Sequence, residues 1–187
     1  PAVALPLGND FNHVVTMDLK IWKGKNILYM IDSFTRYTVA VVVPTKEPDM
    51  IVDAIMTKWV QYFGIMDGIL TDNGGEFSSE LTREVCSILN VLDHTTGAEA
   101  PWSNGLCERN HALADNILQS VMRDYPNMKL NIALAWTCNA KNALINIHGY
   151  SPYQLVFGRQ PKLPNVINDP PPAWEIKTKS KKLVENL

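Results

Sequence analysis

Three short apolar runs fill most of the stretch from residue 13 to residue 43, and they do more than anything else to limit the fold: His13–Leu19, Ile27–Phe34 and Tyr37–Val43. Each is rich in β-branched residues and too short for a buried helix, so each reads as a strand. Lys23-Gly24-Lys25-Asn26 separates the first two, and Thr35-Arg36 separates the second pair. Gaps this small leave room only for tight turns, which predicts two adjacent antiparallel hairpins. Pro44 closes the third run, since it cannot donate to a sheet ladder.

From Asp49 the period changes. Val52, Ile55, Met56, Trp59, Val60 and Phe63 recur at helical spacing, and Gly64 is a natural stop. Gly68-Ile69-Leu70-Thr71 reads as a short buried strand ending at Asp72, and Asp72-Asn73-Gly74-Gly75 as a turn. A helix over Ser79–Leu89 and a strand near Val91–His94 follow. Thr95–Asn104 reads as a loop, then a long helix runs from Gly105 to Arg123, with Leu106, Leu113, Ile117 and Val121 as its core stripe. Further helices are expected over Leu130–Ile147 and Pro152–Phe157. Strands that follow helices join a sheet in parallel through crossovers, so the order implies an α/β fold with an antiparallel start.

A chain of 187 residues is one domain, or one with a tail. The Pro- and Lys-rich end divides it into a globular part over 1–164 and a tail over 165–187. Cys86, Cys107 and Cys138 are scattered, which favours reduced thiols over a disulfide framework. His13, His94, His111 and His148 show no zinc-ligand spacing with them. No apolar run approaches the roughly 18 residues of a membrane span, and no signal peptide opens the chain. The net charge of −2 counts against strong DNA binding by this segment alone, because such affinity comes mainly from cations on phosphates.

Three carboxylates stand out by context. Asp18 interrupts the run Val14-Val15-Thr16-Met17-Asp18-Leu19, Asp72 ends an apolar run, and Glu108 opens the long helix. Each alone has an ordinary reading: a hydrogen-bonded strand carboxylate, an Asx-turn residue, and a first-turn glutamate favoured by the helix dipole. Together they can project into one cleft, where mutual repulsion is relieved by divalent cations that prefer hard oxygen ligands. Two such ions can activate an attacking oxygen and stabilise a leaving one at phosphorus.

The flanks of these residues carry a resemblance. Met17-Asp18-Leu19 with Ile31-Asp32-Ser33-Phe34-Thr35-Arg36 forms the first marker, and Leu70-Thr71-Asp72-Asn73-Gly74-Gly75-Glu76-Phe77 the second. Ala100-Pro101-Trp102-Ser103-Asn104-Gly105-Leu106-Cys107-Glu108-Arg109-Asn110 is the third, and Gly149-Tyr150-Ser151-Pro152-Tyr153 with Leu155-Val156-Phe157-Gly158-Arg159 the last. Thirty-five residues separate Asp72 from Glu108. Over roughly residues 6–164 the chain resembles the catalytic cores of retroviral and gypsy-class retrotransposon integrases, the D,D-35-E family.

That resemblance implies a ribonuclease H-like fold, a five-stranded mixed sheet flanked by helices. It implies that Asp18, Asp72 and Glu108 hold two Mg²⁺ or Mn²⁺ ions, and that the enzyme trims the 3′ ends of element DNA and joins them to target DNA by transesterification. Double-stranded DNA, a second copy of the chain, and residence in the nucleus or the retroelement particle are implied with it. Asn73 and Asn104 match polar positions beside the metals. Ala112 and Asp115 stand where retroviral members carry DNA-contacting lysines, leaving Arg109 and His111 as candidate substitutes. No zinc-binding module precedes the core, so an excised core is expected. Three other readings remain: a domesticated relative that binds or multimerises; a ribonuclease H-type nuclease with Asp115 as fourth carboxylate; and a multimerisation module using Trp59, Phe63 and Trp136, which could instead fill the core.

Overall fold

A computed structural model describes residues 8–71, 78–94, 101–145 and 149–162, with the backbone alone at 79 and 101–108. The three apolar runs form β1 (Val14–Trp22), β2 (Lys25–Asp32) and β3 (Thr38–Val43). Lys23 and Gly24, both at positive φ (46° and 76°), make the two-residue hairpin between β1 and β2. Such turns match the twist of the flanking strands. The turn sets the register, so Trp22 faces Lys25 and Asp18 faces Tyr29.

The expected helix from Asp49 is divided into α1 (Pro48–Ile55), a π-helical turn over Met56–Val60, and α2 (Gln61–Phe63). The wide turn holds Trp59, fully buried, whose Nε1 donates to Asn12 Oδ1 at 2.7 Å. The Asn12 amide in turn donates to the carbonyls of Phe63 and Ile65 at 3.1 and 3.0 Å. One side chain thus ties the entry of β1 to the helix end, where Gly64 at φ +81° stops it. No Pro or Gly marks the π turn in the sequence, so periodicity alone could not locate it.

Next come β4 (Gly68–Leu70), α3 (Ser79–Leu89), β5 (Leu92–Asp93), α4 (Pro101–Asp124), α5 (Leu130–Ala143) and α6 (Pro152–Phe157). The sheet order is β3-β2-β1-β4-β5, with the β1–β4 and β4–β5 pairings parallel and the β1–β2 and β2–β3 pairings antiparallel. On one face, Val15, Met17, Leu19, Leu28 and Met30 pack against α1 and α3 side chains such as Ile51, Ile55 and Val85. On the other face Ile27 and Tyr29 meet Ala114 and Leu118 of α4 and Ala133 and Leu134 of α5. Asn142 of α5 covers the β3 edge, accepting from Thr38 N and donating to Thr38 O, both at 2.8 Å.

Three expectations need correction. The long helix begins at Pro101 rather than Gly105, so Pro101–Asn104 is helical and Glu108 is not in its first turn. Pro is well suited to a first helical position, because its missing N–H has no partner there anyway. The buried stripe of α4 is His111, Ala114 and Leu118, while Leu113 and Ile117 are only partly covered. Finally, α5 ends at Ala143, short of Ile147. Trp59 is core, and Phe63 packs within an aromatic cluster with Tyr37 and Phe157. Trp136 instead stays 41% exposed, one turn from exposed Ile132.

Candidate active site

Side chains alternate across a strand, so Met17 and Leu19 enter one core while Asp18 and Lys20 face α4. That alternation resolves the charge inside an apolar run: Asp18 sits on the second face, with its side chain 17% exposed. The β1–β4 pairing ends at Thr16 opposite Leu70, two positions before Asp18 and two before Asp72. The strand end is tied to α3 by buried hydroxyls, Thr71 Oγ1 to Thr82 Oγ1 at 3.1 Å. Ser78 caps α3, its hydroxyl accepting from Leu81 N at 3.2 Å.

Asp72 and Asn73 lie outside the described residues, and Asn104 and Glu108 are described as positions on α4 without side chains. Among the described residues no group of three His, Cys, Asp or Glu could hold a metal ion. Arg109 is exposed on α4. His111 is only 5% exposed and sits over the sheet, its ring edge-on to Tyr29 at 5.4 Å between centroids. Its Nδ1 lies 3.7 Å from Asp18 Oδ2.

One turn further along α4, Asp115 accepts from Lys20 Nζ at 2.8 Å and from Tyr29 Oη at 3.2 Å. Asp115 is therefore engaged by a cation and a buried hydroxyl, which disfavours it as a fourth metal ligand. Burial lowers the His111 imidazole to about 4, with Lys20 adding to the fall and Asp115 opposing it. The His111–Asp18 approach is then a contact between an uncharged ring and a carboxylate, not an ion pair. Burial also raises the Tyr29 hydroxyl, and the charge and hydrogen bond of Asp115 raise it further.

Lys20, Tyr29, Thr71 and Thr82 were not singled out by sequence. Lys20 was legible in principle, two residues from Asp18 on one strand face. Tyr29 required the hairpin register, and Thr82 required the packing of α3.

A mixed 3-2-1-4-5 sheet, helices on both faces and a carboxylate midway along the central strand define a ribonuclease H-like domain. Residues 9–101 match the family model described as "Integrase core domain". A Pol polyprotein from transposon 412 of Drosophila melanogaster is 27% identical over 141 residues, 74% of this chain and 11% of that protein. The Gag-Pro-Pol polyprotein of human T-cell leukemia virus 2 is 29% identical over 175 residues, 87% of the chain and 12% of the polyprotein. The HTLV-2 integrase catalytic core, solved in complex with magnesium in a dimeric form, superposes with a TM-score of 0.61 at 22% identity, covering 79% of this chain and 98% of that one. Over residues 9–101 the chain matches the integrase core family, and it spans roughly a tenth of the length of these polyprotein relatives.

Proposed function

We propose that this domain is a polynucleotidyl transferase that processes the 3′ ends of element DNA and joins them to target DNA. The observation that carries the reading is Asp18, a partly exposed carboxylate on the central strand that faces α4, the helix bearing Glu108. With Asp72 these residues form an all-carboxylate donor set, which suits Mg²⁺ or Mn²⁺ rather than soft metals. Two bound ions would supply activation of the attacking oxygen and charge stabilisation of the leaving one. The protein's own part would be to bring the three carboxylates together, Asp18 from β1 and Glu108 from α4. Exposed Arg109, with Asn73 and Asn104, would contact DNA phosphates or sugars. Phosphate contacts position a duplex without reading its sequence. A second copy would dock on α5 through exposed Ile132 and Trp136. The place of action is the nucleus or the retroelement particle.

Glu108→Gln tests the reading. The amide keeps the shape and removes a ligand charge, so unfolding should be unchanged or slightly harder while strand transfer falls by several orders of magnitude. A structural glutamate would behave oppositely, losing about 1–3 kcal/mol of stability with activity retained. In parallel, millimolar Mn²⁺ should raise the melting temperature of the parent protein and leave Asp72→Asn unmoved.

A further inference from the structure

We infer that His111 is a positioning residue for Asp18, presenting one imidazole N–H to its carboxylate from inside the fold. The inference rests on the reading of Asp18 as a metal ligand. His111 is 5% exposed, and neither ring nitrogen makes a hydrogen bond among the described residues. A buried polar group in that state is unfavourable unless a partner is within reach. Asp18 Oδ2, at 3.7 Å from Nδ1, is such an acceptor, within an ångström of hydrogen-bonding distance.

The ring has little freedom to turn elsewhere. Tyr29 meets it edge-on at 86°, and Tyr29 is itself held by its hydroxyl on Asp115. Strand pairing places Tyr29 directly opposite Asp18, so the tyrosine that orients the imidazole shares the carboxylate's register. Hydrogen bonds of this kind to a ligating carboxylate fix its rotamer before the ion arrives, and their loss typically weakens metal binding about 10- to 100-fold.

The competing account is that His111 only fills space against Tyr29. Mn²⁺ titration of the purified protein, following free Mn²⁺ by its paramagnetic resonance signal, separates the two. His111→Leu fills similar volume without an N–H. It should fold with an unchanged or higher melting temperature, because a buried, poorly satisfied imidazole is gone, yet bind Mn²⁺ about ten-fold or more weakly. His111→Asn restores a donor and should stay within about threefold of the parent, well short of the His111→Leu loss. Equal Mn²⁺ affinity in His111→Leu and the parent, or equal weakness in His111→Asn and His111→Leu, overturns the inference. Should His111→Leu fail to fold, His111→Ala set against His111→Asn makes the same comparison. Asp18→Asn serves as the reference. If it binds Mn²⁺ like the parent, the metal reading itself is wrong and the inference goes with it. If Asp18→Asn loses the ion and His111→Leu does not, the positioning role alone fails.

Discussion

Removing Asp115 should expose an inversion of what bond lengths imply. Its contact to Lys20 is the shorter, 2.8 Å against 3.2 Å for Tyr29. But the Lys20 and Asp115 side chains are 33% and 28% exposed, whereas Tyr29 is fully buried. Water and salt compete for the ion pair, so it contributes about 0.5 kcal/mol. The Tyr29 hydroxyl, left without an acceptor, would cost about 1–3 kcal/mol. Asp115→Ala should therefore destabilise by about 1.5–3.5 kcal/mol, the sum of these two effects. Asp115→Asn keeps an acceptor for Tyr29 and should lose about 1 kcal/mol or less. Double-mutant cycles by urea unfolding separate the contributions. The Tyr29→Phe/Asp115→Ala cycle should show a coupling of about 1–2 kcal/mol, and the Lys20→Met/Asp115→Ala cycle about 0.5 kcal/mol or less, fading in high salt. A Lys20 coupling larger than that of Tyr29 would refute the reasoning. Because Asp115 lies two turns beyond Glu108 on α4, loosening it should also lower Mn²⁺ affinity.

Other outcomes follow from buried groups elsewhere. Asp32 accepts from the backbone N–H groups of Asn12, Phe34 and Thr35 and from the Thr35 hydroxyl, so Asp32→Asn should lose about 3–5 kcal/mol in chemical denaturation; a loss below about 1 kcal/mol would show that the turn relaxes. A Cβ on Gly68 would fall inside the imidazole of His94 and 3.1 Å from Leu92 O, so Gly68→Ala should cost about 1–2 kcal/mol in thermal unfolding as His94 swings away. Burial lowers Lys141 from 10.5 to about 8, so between those values the unfolded chain holds a proton that the folded one lacks, and stability from this group rises with pH. Cys86 and Tyr37, each pushed up to about 12 by burial, act in the opposite sense above about pH 9. The stability of the parent minus that of Lys141→Met should therefore climb by about 3 kcal/mol from pH 8 to 10.5; a flat difference would show that Lys141 titrates normally.

Much of the architecture was written locally. The apolar runs and the separator Lys23-Gly24-Lys25-Asn26 marked the β1–β2 hairpin, while the register that sets Tyr29 opposite Asp18 came with the two-residue turn seen in the structure. The helix Ser79–Leu89 was delimited by its own cap, Ser78, and α6 by Ser151 with Gln154, both short-range signals. The flanks of Asp18, Asp72 and Glu108, with their spacing, were enough to indicate the family.

What the chain could not announce by itself were choices between faces and partners. A helical stripe of Leu106, Leu113, Ile117 and Val121 looked the more hydrophobic side of α4. The structure instead buries His111, Ala114 and Leu118, since the sheet surface beneath carries Asp18, Lys20 and Tyr29 and offers polar partners. Small Ala114 lets the helix approach closely, and Asp115 finds both a cation and a hydroxyl there. Lys141, fully buried, reads in sequence as a surface lysine, but donates to Thr38 Oγ1 at 2.7 Å and Arg36 O at 3.2 Å. The sequence by itself marked the strands and the first hairpin and carried the resemblance to a family. Only tertiary packing decided that His111 turns inward toward Asp18 and that Asp115 is committed to Lys20 and Tyr29, because burial and pairing depend on which surfaces meet.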